Sequence, residues 1–305
     1  MIISFASGKG GTGKTTVATG YALLLSQDKN LRVRFLDCDV EEPNAAIFLK
    51  PRIQETVLVG IPVPSIDLKK CNFCGTCADI CAYNAIAVIK PNTTAAKDHP
   101  GKPVTAKTKG SILTFPELCH GCGGCRILCP ESAITEIDRD IGVVEKGRSN
   151  NIEFMQGRLN IGEPMATPLI RQMKRSIDED DDRINLIDVP PGTSCPVVEA
   201  VKGSDFTVLV TEPTPFGLND LVLAVETLKK LNIRMGIVIN RSSGDDRIIT
   251  EYCDRAGVPV LMKIPLSRDI AEAYSRGESF INLGNGHKER LKTLAEKIKE
   301  QVGGS

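Results

Sequence analysis

The stretch Gly8-Lys9-Gly10-Gly11-Thr12-Gly13-Lys14-Thr15-Thr16 lies between an apolar run, Ile2–Ala6, and a helical pattern from Thr15 to Gln27. Four glycines between positions 8 and 13 permit the positive φ of a tight turn and let another group approach the backbone closely. Between a strand and a helix, the spacing G-x-x-x-x-G-K-S/T turns successive N–H groups and the helix N-terminus toward phosphate oxygens. Lys14 then brings positive charge to the β and γ phosphates, Thr15 a hydroxyl ligand for Mg²⁺, and Thr16 support at the α phosphate. The next apolar run, Leu31–Leu36, returns as a second strand, so the opening segment reads as a βαβ unit.

The rest of the chain extends that pattern after an interruption. Apolar strands are expected at Ile184–Val189, Phe206–Val210, Arg234–Ile239 and Val258–Ile264. Helices are expected at Ala166–Ser176, Leu218–Leu231, Asp246–Ala256 and His287–Glu300. Continuous apolar strands separated by amphipathic helices predict an α/β fold, a mainly parallel sheet covered by helices on both faces. Residues 69–147 are different, with short segments, many cysteines and a Pro-, Thr- and Lys-rich linker at Lys90–Gly110. They read as a small inserted α+β domain. The expected organisation is 1–68 and 148–305 as two parts of one domain, with 69–147 inserted.

Eight of the eleven cysteines fall in two runs of identical spacing, C-x2-C-x2-C-x3-C: Cys71, Cys74, Cys77, Cys81 and Cys119, Cys122, Cys125, Cys129. Text following the runs is also similar, Asn84-Ala-Ile-Ala-Val-Ile and Glu131-Ser-Ala-Ile-Thr-Glu-Ile, so the insert reads as an internal duplication. Clustered thiolates suit iron–sulfur cores or zinc. Zinc more often uses two CxxC pairs with a longer gap. A third cysteine after two residues and a fourth after three is the spacing of bacterial two-cluster ferredoxins. Cys129-Pro130 matches that pattern, whereas Cys81 is followed by Ala82.

Resemblance carries these readings further. Lys9–Thr16 resembles the deviant Walker A loop of the MinD, ParA and nitrogenase iron protein superfamily. That likeness implies ATP/ADP and Mg²⁺ as ligands and an ATP-dependent homodimer, with Lys9 reaching the nucleotide of the partner. Asp39 resembles the switch I aspartate that activates water, with Asp37 a second candidate for organising Mg²⁺. Asp188, in Asp-Val-Pro-Pro-Gly192, resembles the switch II aspartate that holds the metal. Asn240 and Arg241 resemble the adenine-side pair, with Pro265 in the same pocket. The insert resembles a two-cluster ferredoxin, in which the fourth cysteine of each run serves the other cluster. Two 4Fe-4S clusters are implied, one on Cys71, Cys74, Cys77 and Cys129, the other on Cys119, Cys122, Cys125 and Cys81. Cys195, seven residues beyond Asp188, is read either as a structural or regulatory thiol or as a ligand bridging a dimer.

Composition narrows the function classes. Lys plus Arg and Asp plus Glu each number 38, and aromatics are 4% with no Trp. There is neither a general pull on polyanions nor a base-stacking platform, so no nucleic-acid partner is expected. No apolar run suits a membrane span, and the first strand begins at Met1, so a cytoplasmic protein without stable membrane association is expected. The leading expectation is an ATPase coupling nucleotide state to electron transfer, or to metallocofactor assembly, on a protein partner. The alternative is an ATP-dependent iron–sulfur scaffold or carrier, and a third reading is a spatial organiser.

Overall fold

The computed structural model describes residues 1–91, 110–177, 182–284 and 286–303; most of the linker expected at Lys90–Gly110 lies outside them. In chain order, β1 (Ile2–Ala6), α1 (Lys14–Leu25), β2 (Val33–Asp37), α2 (Ala45–Leu49) and β3 (Arg52–Ile66) precede the cysteine runs. The runs lie among α3 (Thr76–Asp79), β4 (Ile86–Ile89), β5 (Ser111–Thr114) and α4 (Gly124–Ile127). After them come β6 (Ile134–Ser149), β7 (Ile152–Leu159), α5 (Thr167–Lys174), β8 (Ile184–Asp188), α6 (Cys195–Val201) and β9 (Phe206–Thr211). The chain closes with α7 (Pro215–Lys230), β10 (Met235–Ser242), α8 (Arg247–Ala256), β11 (Val260–Pro265), α9 (Arg268–Ser275) and α10 (His287–Gly303).

Two units emerge, one of Met1–Leu58, Gly142–Ile161 and Met165–Ser305, the other of Val59–Ile141 with Gly162–Pro164. In the first, the described residues form a sheet of order β11-β10-β9-β1-β8-β2-β7-β6-β3. Pairing is parallel from β11 through β7, and β6 then runs antiparallel to β7. Every residue of β2, β8 and β9 is buried, as expected for strands covered on both faces. Phe5, Phe35, Phe154 and Phe206 lie in the core with Val17 and Tyr21 of α1 and Leu291 and Leu294 of α10. Phe35 and Phe154 stack with ring centroids 6.2 Å apart. This matches the expected P-loop type of sheet. The expected strand Leu31–Leu36 instead begins at Val33, which brings Asp37 into its last position.

Sheet register builds the functional edge. Asp37 at the end of β2 pairs with Asp188 at the end of β8, and Phe5 of β1 pairs with the same Asp188. The ends of three parallel strands therefore bring both acidic segments and the loop after β1 to one side, the usual binding edge of such sheets.

The second unit has a small apolar core, Cys77, Ile86 and Ile134, with Ile66, Val88, Ile112, Cys125 and Cys129 around it. Its β4 and β5 pair antiparallel. The sequence duplication is repeated in the backbone. Phe73 and Gly121, Gly75 and Gly123, and Asn84 and Ser132 occupy matching places in the two runs, and all six have positive φ. Ala85 N–H donates to Cys81 Sγ and Ala133 N–H to Cys129 Sγ, each at 3.3 Å.

Candidate functional site

A cavity of about 650 Å³ in the first unit is lined by Gly10, Gly11, Gly13, Lys14, Thr15, Thr16, Asp39, Asn240, Arg241 and Pro265, among others. These sequence-predicted residues are thus brought together. Gly8, Lys9, Thr12 and Asp188 do not line it. Gly13 has φ 88°, and a Cβ there would lie 2.2 Å from Asn240 Nδ2, so both conformation and space require glycine. Asn240 Nδ2 donates to Thr12 O at 2.7 Å, and its Oδ1 accepts from Arg241 N at 2.9 Å. Its amide therefore braces the loop in this state, although sequence reasoning marks it for the base.

Lys14, Thr15 and Asp39 carry the cavity wall into a buried charge cluster. Lys14 Nζ donates to Asp188 Oδ1 at 2.6 Å and lies 3.6 Å from Asp39 Oδ2. Thr15 Oγ1 donates to Asp188 Oδ2 at 2.6 Å. Asp37 lies fully buried behind them and accepts from Asn44 N at 3.0 Å, Ala45 N at 2.9 Å and Asp39 N at 3.2 Å, tying down the segment after β2. Burial pulls the Lys14 ammonium down, but Asp188, Asp39 and Asp37 more than offset it and hold its pKa above the ordinary value. Burial, with Asp188 adding repulsion, pushes Asp37 up to about 7, and burial pushes Asp39 up to about 6. Three carboxylates share one ammonium. Thr15, Asp39 and Asp188 form an all-oxygen donor set of the kind Mg²⁺ prefers. Among the described residues, no three His, Cys, Asp or Glu side chains already stand where they could hold one metal ion.

The raised carboxylates make stability depend on pH. In metal-free buffer the folded chain keeps a proton on Asp37 up to about pH 7, whereas the unfolded chain loses it near 3.8. Their contribution to stability therefore falls as pH rises across that interval, and the full cost of the buried charge is present above it. Melting temperature should decline between pH 5 and pH 8, with a flatter profile in Asp37→Asn. Parallel profiles would refute the assignment.

One participant was missed by sequence reasoning. Glu212, just beyond β9, is the cis partner of Lys9, and its Oε2 accepts from Arg241 Nη1 at 3.1 Å. No local signal marks it: only the parallel pairing of β9 with β1 brings an acid at the end of β9 beside the loop at the end of β1.

In the second unit, Cys71, Cys74, Cys77 and Cys129 line one small pocket with Ile66, Phe73, Val88, Ile112 and Ile134. Two runs thus contribute to a single site. Phe73 N–H donates to Cys71 Sγ at 3.4 Å. Burial raises the Cys125 thiol, and Cys119 and Cys122 are close enough to add to the effect. Tyr83 and His120, which follow Cys81 and Cys119, stack with centroids 3.5 Å apart. Cys74 and Cys122 are exposed; Cys195 is exposed at the start of α6, and Cys38 and Cys253 are buried.

Residues 3–280 match the CobQ/CobB/MinD/ParA nucleotide binding domain. The chain belongs to that family. Its family and its loop make it a P-loop ATPase. A relative along nearly its whole length is the uncharacterized protein MJ0579 of Methanocaldococcus jannaschii, 31% identical over 288 residues, 92% of this chain and 91% of that protein. Partial relatives include the cytosolic Fe-S cluster assembly factor Nubp1 homolog of Drosophila melanogaster, 30% identical over 44% of this chain and 51% of that protein. The iron-sulfur cluster carrier protein of Methanocaldococcus jannaschii is 26% identical over 46% of this chain and 54% of that protein. Among solved structures, septum site-determining protein MinD of Pyrococcus horikoshii, complexed with Mg-ADP, has TM-score 0.57 and 20% identity, covering 99% of this chain and 97% of that one. It shares the fold of this CobQ/CobB/MinD/ParA member. Among the described residues of the family member, no helix is long and apolar enough to cross a membrane.

Proposed function

We propose that this ATPase is an iron–sulfur cluster carrier or scaffold, with two 4Fe-4S clusters held by the second unit as cargo and nucleotide governing their delivery. The observation that carries the reading is the meeting of Cys71, Cys74 and Cys77 with Cys129 around one pocket. Cross-run ligation of this kind is what the resemblance to two-cluster ferredoxins implies, with Cys119, Cys122, Cys125 and Cys81 as the second set. The site fits the group: soft sulfur ligands from both runs around one pocket, and backbone N–H groups directed at sulfur. A core this small gains stability from bound metal. The second unit is accordingly taken as the inserted ferredoxin-like domain.

Exposure of cluster ligands favours the carrier over the electron-transfer reading. An acceptor thiolate displaces a ligand only where it can reach one, and the second cysteine of each run, Cys74 and Cys122, is exposed. The partial likeness to a cluster carrier and to an assembly factor lies in the same direction. At the nucleotide site, loop N–H groups and Lys14 hold the phosphates. Thr15 and Asp188 would hold Mg²⁺, with Asp39 close by to orient the attacking water. Two copies close on ATP, each lending Lys9 to the phosphates of the other.

The test is anaerobic. The iron-loaded chain is mixed with a ferredoxin stripped of its cluster, and transfer is followed by circular dichroism with ATP, ADP or no nucleotide. Transfer whose rate differs several-fold between ATP and ADP is expected. Full retention of iron while the reduced chain passes electrons would instead establish the redox reading, and equal transfer in all three conditions would remove nucleotide control.

A further inference from the structure

Lys9 stands apart from the cavity that its own loop helps to build. It does not line that cavity, and its ammonium is paired with the Glu212 carboxylate. Glu212 is itself held fast. Thr214 N–H donates to its carbonyl at 2.8 Å, and a Cβ at Gly217 would lie only 2.3 Å from that carbonyl oxygen. The turn leading into α7 therefore fixes the backbone that carries this carboxylate. Its other oxygen binds Arg241, which does line the cavity. Arg241 has φ 52°, a left-handed conformation that an L side chain adopts at a cost, and the register of β10 against β11 shifts at this point. The backbone is thus bent where the guanidinium meets Glu212.

We propose that Glu212 is a cis latch that keeps Lys9 from a second copy of this chain until nucleotide is bound. The inference rests on the dimer reading above and names the regulation of that same site. A nucleotide in the cavity competes with Glu212 for Arg241, because that guanidinium serves both. With Arg241 drawn toward the ligand, Glu212 keeps Lys9 as its partner and holds it more tightly, so nucleotide in the same copy does not by itself open the latch. The triphosphate of a second copy opens it, because it carries more negative charge than one carboxylate and outbids Glu212 for Lys9. The latch makes closure depend on nucleotide in both copies rather than on encounter alone.

Two measurements test this. Acetylation of Lys9 by an N-hydroxysuccinimide ester, quantified by peptide mass spectrometry on the nucleotide-free chain, reads the latch without any dimer. Glu212→Gln should raise the rate several-fold. Analytical ultracentrifugation with ATP should then find Glu212→Gln dimerising at several-fold lower protein concentration than the parent, with Lys9→Ala monomeric in both backgrounds. An unchanged acetylation rate overturns the latch. A faster rate with an unchanged dimerisation threshold, while Lys9→Ala still abolishes the dimer, also overturns it and leaves the dimer reading standing. Absence of an ATP-dependent dimer in the parent and in Glu212→Gln alike overturns the dimer reading itself.

Discussion

Lys14→Ala should lower ATP hydrolysis by about a hundred- to a thousandfold, the scale on which a single preorganised charge contributes to such chemistry. A second effect should be equally diagnostic. Lys14 is buried, and Asp188, Asp39 and Asp37 all depend on its charge. Without it three carboxylates crowd a site with no cation, and removal of one partner from buried charges costs about 3–5 kcal/mol. The nucleotide-free variant should therefore melt well below the parent. Mg²⁺ should raise the melting temperature of Lys14→Ala more than that of the parent, because a divalent ion suits the oxygens left behind. Phosphate release and thermal melts, each with and without Mg²⁺, check both parts. A variant that hydrolyses ATP at half the parental rate would remove Lys14 from the chemistry, and equal Mg²⁺ shifts would remove the carboxylate cluster from metal binding.

Cys129→Ala should remove about half of the bound iron, although its own run keeps three cysteines. It faces Cys71, Cys74 and Cys77, so its loss opens a corner of the site belonging to the other run. Double substitutions make the pairing decisive. Cys71→Ala with Cys129→Ala should lose no more iron than either alone, since both act on one cluster. Cys71→Ala with Cys81→Ala should lose nearly all, since each disables a different one. The reverse pattern would mean that each run holds its own cluster. Cys195→Ala serves as the reference and should leave iron unchanged. Iron and sulfide analysis after anaerobic reconstitution is sufficient, and the spectra of the two half-loaded single variants, Cys129→Ala and Cys81→Ala, should differ.

Much of the nucleotide domain was legible because its signals are local. The loop after β1 announces itself through four glycines whose spacing serves one backbone conformation, and Gly13 bears this out with φ 88°. Strands buried on both faces read as apolar runs, which is why β1, β8 and β9 fell close to their expected places. By contrast, β7 escaped notice. It carries Glu153, Gln156 and Arg158 among its apolar residues, and only its pairing with β2 and β6 makes it a strand. The short α6 and α9 were missed as well, because seven or eight residues give too few turns for a period to emerge.

Residue identity and spacing were enough to establish a P-loop ATPase and to raise the question of paired thiolate sites, since both depend on short segments whose chemistry is written in order. Tertiary structure alone decided the contacts that no motif announces. Glu212 meets Lys9 because β9 lies beside β1, and Asp37 stands behind Asp188 because β2 lies beside β8. Such contacts depend on which strand packs against which, a property of the whole core that no local pattern encodes.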